Sequence, residues 1–128
     1  MWDCANQRVA LVVDDETFAR LFAVQVFLDH GFVVLEAADA AEGLEMLERN
    51  DDVTIVFTDI SMPGDMDGLD LAERISKRRP EIALAVTSGR VEPFGGVLPE
   101  GVHFLAKPYT SHALLETIHQ LEQSKKAA

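Results

Sequence analysis

The apolar run at positions 53–58, VTIVFT, most constrains what this chain can fold into. Short, β-branched, apolar runs are typical of strands buried on both faces of a parallel sheet. The run ends at Asp59, and the Met-Pro-Gly sequence at 62–64 then turns the chain. Because reactive groups in open α/β sheets lie at the carboxyl ends of strands, Asp59 is a candidate functional residue. Taken alone, an acid in this position is more simply a helix cap or a solvated loop residue.

Similar apolar runs recur along the chain and alternate with segments of helical periodicity. Strands are predicted at 8–13, 32–36, 53–58, 82–87 and 103–106. Helices are predicted at 17–29, 40–49, 69–78 and from an N-cap at Thr110 to about residue 123. This alternation predicts an α/β fold with a parallel sheet, as a single domain over residues 1–128 with its core at about 8–123.

Residues 91–101, VEPFGGVLPEG, interrupt the alternation where a helix should join the last two strands. The segment contains two prolines and three glycines. These residues disfavour a helix interior by roughly 3 and 1 kcal/mol each, respectively. We therefore expect an atypical fourth helix, short or irregular.

Composition excludes several classes of partner. The net charge of -11 disfavours direct binding to nucleic acid or to an anionic membrane surface. No apolar stretch is long enough to span a bilayer, and the N-terminus lacks the pattern of a signal peptide. The single cysteine, Cys4, cannot form an internal disulfide, so a cytoplasmic location is expected.

Polar residues also end the first, fourth and fifth predicted strands. The set comprises Asp14, Asp15, Asp59, Thr87 and Lys107. Carboxylates brought together at one sheet edge would raise each other's pKa, and Mg²⁺ bound through one or two of them would relieve the repulsion. A carboxylate held anionic there can attack phosphorus to form an aspartyl-phosphate, while cations and hydrogen-bond donors neutralise the phosphoryl oxygens.

Each member of the set also has a simpler interpretation. Asp14 and Asp15 could cap the first helix, Thr87 could be an ordinary strand-end hydroxyl, and Lys107 a solvated charge. Their joint occurrence at the ends of four strands favours a common site.

The motifs together resemble the receiver domain of bacterial two-component response regulators, over residues from about 8 to 123. They are the pair Asp14-Asp15, the stretch DISMPGDMDGL from Asp59, VTSG around Thr87, and Lys107-Pro108 preceded by Phe104. The resemblance implies a doubly wound, flavodoxin-like fold with five parallel strands in the order 2-1-3-4-5.

The resemblance also implies a phosphoacceptor with a metal site. Asp59 would accept the phosphoryl group and would be a metal ligand. Asp15 would bind Mg²⁺ directly, Asp14 would help through water, and the backbone carbonyl of Ser61 would be a further ligand.

The resemblance further implies a second set of residues, which would respond to phosphorylation. Lys107 would pair with the phosphoryl group, and Thr87 would bond one of its oxygens. Phe104 would change rotamer when Thr87 moves, and the Lys107–Pro108 peptide bond would be cis. The sequence departs from the usual family pattern in its longer GDMDG loop, in Ser88, and in the segment at 91–101.

By this resemblance the protein is a phosphorylation-dependent signalling switch rather than an enzyme acting on other substrates. Its donor would be a sensor histidine kinase or a histidine phosphotransfer protein, and its downstream protein target is unknown. The alternative is a metal-dependent phosphohydrolase with an aspartyl nucleophile, although such enzymes favour D-x-D where this chain has adjacent acids. An unphosphorylated interaction module is a weaker alternative, because the chain retains all the catalytic residue types. A flavin-binding domain is also weaker, because the acidic sheet edge would repel the flavin phosphate.

The first predicted helix carries apolar residues around most of its circumference. One interpretation is a helix that is simply well buried. The other is an exposed apolar strip for a partner, and in the receiver family this helix faces the donor's histidine domain.

Overall fold

The computed structural model describes residues 8–89 and 98–127. The strands are β1 (Arg8–Val13), β2 (Phe32–Ala37), β3 (Val53–Asp59), β4 (Ala83–Ser88) and β5 (His103–Ala106). The helices are α1 (Thr17–Asp29), α2 (Ala40–Arg49), α3 (Gly68–Arg78) and α4 (Ser111–Ala127). All strand pairs are parallel, and the order β2-β1-β3-β4-β5 confirms the doubly wound sheet.

The sheet separates two apolar cores. Alternate residues of β1 point to opposite faces, as the pleat of a strand requires. Leu11 and Val13 pack with residues of α2 and α3, whereas Ala10 and Val12 pack with residues of α1 and α4. Burial on both faces explains why the central strands are continuous apolar runs.

Helix starts follow the capping residues that the sequence provides. Asp67 and Asp70 form a capping box at α3, and Thr110 Oγ1 accepts from the Ala113 amide at 3.0 Å in α4. At α1 the N-cap is Glu16, which makes no side-chain cap bond. The alternative that the Asp14-Asp15 pair caps α1 is therefore wrong, and the pair is available for another role.

The predicted boundaries differ from the structure by one residue at several ends. β3 includes Asp59, and α3 begins at Gly68 rather than at Leu69. α4 extends to Ala127, past the expected end near residue 123, because no glycine or proline interrupts the last turns.

The expected irregular segment at 91–101 lies largely outside the described residues. Positions 98–101 are irregular and turn structure, with Gly101 at a φ of 83°. None of the helices in the described ranges is long and apolar enough to cross a membrane.

Candidate functional site

The sheet brings charged groups from three strands together at its carboxyl edge. Asp14 follows β1, Asp59 ends β3 and Lys107 follows β5. The Lys107 Nζ lies 3.2 Å from Asp14 Oδ2 and 3.2 Å from Asp59 Oδ2. Asp14 and Asp59 are only 3% and 6% exposed, so one ammonium group bridges two nearly buried carboxylates.

A third carboxylate completes an acidic cluster. Asp14, Asp15 and Asp59 each offer an oxygen, and these oxygens lie within 4.8 Å of one another. Asp15 is exposed, so the cluster opens to solvent on one side. Carboxylate oxygens are the ligands that hard divalent cations prefer, and the set therefore fits Mg²⁺. The Ser61 amide donates to Asp59 Oδ1 at 3.3 Å, which fixes the turn that carries the Ser61 carbonyl.

Burial and charge shift the ionisation of the cluster. Burial raises the pKa of Asp59, and the nearby Asp14 raises it further, while Lys107 opposes both effects. Burial by itself lowers the pKa of Lys107, but the attraction of Asp14 and Asp59 outweighs it and the pKa is raised. Lys107 is therefore cationic at neutral pH, and its single charge does not fully compensate the carboxylates.

The backbone of Asp59 is held closely by its neighbours. The Ile60 amide donates to the Thr87 carbonyl at 2.9 Å, and the Gly68 amide donates to the Ile60 carbonyl at 2.9 Å. Thr58 Oγ1 lies 3.0 Å from the Asp59 carbonyl oxygen, to which it donates. A Cβ atom at position 68 would lie 1.9 Å from the same oxygen, so only glycine fits there. The start of α3 thus packs directly on the strand end that carries Asp59.

Hydrogen bonds fix both the backbone and the carboxylate of Asp14. Its amide donates to the Ala37 carbonyl at 3.1 Å, and its own carbonyl accepts from Arg20 Nη1 at 2.8 Å. Its carboxylate accepts from the Glu16 amide at 2.9 Å and from Lys107. Sequence reasoning missed Arg20, and the only available signal was its position on the helix that follows the acidic pair.

Thr87 and Phe104 lie on adjacent strands beside the cluster. Thr87 pairs with Asp59 in the sheet register and is 1% exposed. Its Oγ1 donates to the Leu105 carbonyl at 2.6 Å, which directs the hydroxyl toward β5. Phe104 is partly buried and packs against the core on the α2 and α3 face. In the β4–β5 register, Phe104 pairs with Val86 and Thr87 with Leu105, so the two predicted switch residues lie one position apart on adjacent strands.

Tyr109 is a further site residue that sequence reasoning missed. It follows the Lys107–Pro108 peptide bond, which is cis as predicted. Its ring centroid lies 5.8 Å from that of Phe22 and 5.7 Å from that of Phe57. Burial raises the pKa of the Tyr109 phenol, and the charges of Asp14 and Asp59 raise it further. Its position two residues after the predicted Lys107 was the available signal.

Helix α1 presents an exposed apolar strip, which we define as Phe18, Leu21, Phe22 and Leu28. These residues are 83%, 48%, 43% and 48% exposed, respectively. Of the two interpretations of α1, the exposed strip is correct, since its remaining large apolar residues are buried in the core. An open groove of about 540 Å³ begins at this strip and reaches Lys107, with Phe18, Phe22 and Tyr109 also among its lining residues.

Comparison with known proteins gives consistent matches. Residues 10–119 match the model of the family described as the response regulator receiver domain. The sensor kinase CckA of Brucella abortus (strain 2308) is 33% identical over 123 residues, which are 93% of this chain and 13% of the kinase. The chemotaxis protein CheY of Listeria monocytogenes is 31% identical over 115 residues, which are 86% of this chain and 94% of that protein.

Solved structures extend the likeness to three dimensions. The crystal structure of a CheY-like response regulator receiver domain protein from Methanospirillum hungatei JF-1 matches with a TM-score of 0.83 at 31% identity. The match covers 96% of this chain and 100% of the Methanospirillum chain. The chain thus spans 13% of the length of the CckA kinase, but nearly the whole length of the single-domain relatives.

Proposed function

The chain belongs to the response regulator receiver domain family, and from that premise we propose that Asp59 accepts a phosphoryl group from a phosphohistidine donor. As a family member, the protein is a CheY-like receiver domain of two-component signalling. One observation carries the proposal: the Lys107 ammonium joins the buried carboxylates of Asp14 and Asp59 at the carboxyl edge of the sheet.

Asp59 would supply the nucleophile. One carboxylate oxygen forms a bond to phosphorus while the bond from phosphorus to the donor imidazole nitrogen breaks, and its electron pair returns to the imidazole. The reaction needs the ionised carboxylate, although burial raises the pKa of Asp59. The charge of Lys107 opposes that effect on the pKa and so favours the ionised form of Asp59.

Lys107 and the Ser61 amide would stabilise the charge of the transferred group. Lys107 Nζ lies 3.2 Å from Asp59 Oδ2, and the Ser61 amide lies 3.3 Å from Asp59 Oδ1. A phosphoryl group on either oxygen therefore forms beside a cation or a hydrogen-bond donor that is already in position. Such preorganised donors contribute because they need little reorganisation during the reaction.

Asp14 and Asp15 would hold Mg²⁺ together with Asp59 and the backbone carbonyl of Ser61. The cation supplies positive charge to the phosphoryl oxygens when it is bound. The geometry supports this part of the proposal because the carboxylate oxygens of the three acids lie within 4.8 Å of one another.

Thr87 and Phe104 would transmit the change. In the structure, the Thr87 hydroxyl is bonded to the Leu105 carbonyl at 2.6 Å. To reach a phosphoryl oxygen, the hydroxyl must leave this acceptor, and Phe104 on the same strand as Leu105 would then repack. The change in β5 would alter the surface that an unidentified downstream protein recognises.

The apolar strip on α1 supports a protein donor. Its exposed phenylalanines line the groove that leads to Lys107, so a docked protein would lie beside the side chain that contacts Asp14 and Asp59. We infer that this donor is the histidine-bearing domain of a sensor kinase or a histidine phosphotransfer protein. We also infer that residues 1–128 act as one receiver domain in the cytoplasm, without direct contact with nucleic acid or membrane.

Intact-mass measurement tests the proposal. With Mg²⁺ and a small phosphodonor such as acetyl phosphate, the wild-type protein should gain one phosphoryl group. Asp59→Asn should gain none, because an amide oxygen is a poor nucleophile. Asp52→Asn is a matched control at the opposite end of β3, where the side chain is exposed, and it should label as the wild type does. Equal labelling of Asp59→Asn and wild type would refute the assignment.

A turnover assay separates the switch from the phosphohydrolase alternative. A switch consumes one phosphodonor for each slow cycle of its own phosphorylation and dephosphorylation. A phosphohydrolase releases phosphate continuously from small phosphomonoesters. Sustained release from such a substrate, lost in Asp59→Asn, would favour the enzyme.

A further inference from the structure

Arg20 makes two contacts that join three separate parts of the chain. Its Nη1 donates to the Asp14 carbonyl at 2.8 Å, and its Nε donates to Glu36 Oε1 at 3.1 Å. The Arg20 side chain is 19% exposed and the Glu36 side chain 42%, so the bond to the Asp14 carbonyl is partly shielded from water, whereas the bond to Glu36 is exposed. Arg20 therefore connects α1, the end of β1 and the end of β2.

The Asp14 carbonyl belongs to the peptide unit that links Asp14 to Asp15. Because a peptide unit is planar, a bond that fixes the carbonyl also fixes the amide of Asp15. The Asp14 amide and carboxylate have their own partners, but Asp15 is exposed, and among the described residues no side-chain hydrogen bond is recorded for it. Two contacts thus hold the backbone around Asp15: the bond from Arg20 to the Asp14 carbonyl, and the bond from the Glu16 amide to the Asp14 carboxylate. Of the two, only the bond from Arg20 acts directly on the peptide unit that joins Asp14 to Asp15.

Glu36 supplies the second half of the arrangement. An arginine that makes one hydrogen bond can rotate about its long side chain, whereas a guanidinium held at two atoms has a defined plane. Glu36 accepts a hydrogen bond from the Nε of Arg20, and the Nη1 of Arg20 is then directed at the Asp14 carbonyl.

We propose that Arg20 is a positioning residue that orients the Asp14–Asp15 peptide unit and, through it, the Asp15 carboxylate toward the cation. The inference rests on the proposed function, since it concerns the metal site used in phosphorylation. Residues that orient metal ligands from outside typically change metal affinity by about 10–100-fold when they are altered.

The charge of Arg20 makes the inference sharply testable. If Arg20 acted only through its charge, then removing a cation beside an acidic cluster would tighten Mg²⁺ binding. If Arg20 positions Asp15, its removal weakens binding in spite of that gain. The two accounts therefore predict changes of opposite sign.

Titration calorimetry of Mg²⁺ with Arg20→Gln, Arg20→Lys and wild type tests the inference. We expect Arg20→Gln to weaken Mg²⁺ binding by about tenfold. Arg20→Lys keeps the charge but loses the planar fork, so it should also weaken binding. Arg49→Gln is the matched control, because Arg49 is 74% exposed and, within residues 8–89 and 98–127, its ion pair is with Glu45 on the same helix at 3.6 Å.

A measurement on the metal-free protein separates positioning from a general loss of stability. In Arg20→Gln, the Asp15 amide should exchange faster and show lower NMR order parameters, while the amides of β4 remain unchanged. Unchanged or tighter Mg²⁺ binding in both Arg20 variants would overturn the inference. Failure of the wild-type protein to label at Asp59 would instead overturn the proposed function, so the two failures are distinguishable.

Discussion

Replacing Gly68 with alanine should separate α3 from the strand that carries Asp59. The new Cβ would lie 1.9 Å from the Asp59 carbonyl oxygen and 2.8 Å from the Ile60 Cα. Both are backbone atoms that cannot rotate away. Cβ atoms essentially never lie closer than 3.0 Å to such atoms, so the helix and the strand end must move apart by at least about 1 Å.

The energetic cost follows from the contacts that this movement disrupts. Overpacking of this kind costs about 1–3 kcal/mol. Loss of the 2.9 Å bond from the Gly68 amide to the Ile60 carbonyl adds about 1 kcal/mol. Alanine returns up to about 1 kcal/mol through its higher helix propensity. We expect a net destabilisation of about 1–3 kcal/mol, which for a domain of this size lowers Tm by roughly 3–15 °C.

Thermal unfolding by calorimetry measures the effect. The matched control is Gly43→Ala in α2, whose Cβ would meet a methyl group of Val13 at 3.2 Å. A side-chain methyl can shift, and the higher helix propensity of alanine offsets part of the cost, so this control should lose less than about 1 kcal/mol. Phosphorylation of Gly68→Ala should also be slower, because Asp59 moves. A Tm for Gly68→Ala within about 2 °C of wild type would refute the argument from close contact.

Three further predictions concern Mg²⁺ binding, the ionisation of Asp59, and Arg79 at the opposite edge of the sheet. Mg²⁺ at one hundred times its Kd should stabilise the wild type by about 2.7 kcal/mol, as measured by denaturant unfolding. The same Mg²⁺ concentration should stabilise Asp15→Ala much less. Because the folded state raises the pKa of Asp59, ionisation of this group costs stability as the pH rises above its ordinary value of 3.8. Metal-free Asp59→Asn should therefore melt above wild type at pH 7, and this advantage should vanish as the pH falls below that value. Arg79 donates to the carbonyls of Leu47, Asn50 and Asp51 at 3.2, 3.3 and 2.9 Å, so Arg79→Gln should cost about 1–3 kcal/mol, whereas the exposed Arg78→Gln should cost little.

The sequence predicts the sheet and its charged edge because both depend on local pattern. The apolar run before Asp59 specifies a buried strand, and the parallel register then brings Asp59 opposite Thr87. The receiver resemblance assigned the strand order, which the structure confirms. Asp14, Asp59 and Lys107 meet as expected, whereas their roles in phosphoryl transfer remain predictions.

The contacts that support the site depend on tertiary structure and leave little local signal. Arg20 is one of several charged residues near the acidic pair, and its bond to the Asp14 carbonyl exists only once α1 packs on the sheet. Gly68 resembles an ordinary turn glycine until α3 is placed against β3. The direction of the Thr87 hydroxyl, toward Leu105, also depends on the neighbouring strand.

Chemical trapping of the phosphorylated residue tests the central claim most directly. Borohydride reduces an aspartyl-phosphate to homoserine, and peptide sequencing by mass spectrometry then locates the modified position. After incubation with Mg²⁺ and acetyl phosphate, we predict homoserine at position 59 and at no other aspartate. Homoserine at position 14 or 15, or none in a protein that has gained phosphoryl mass, would contradict the assignment of Asp59 as the phosphoacceptor.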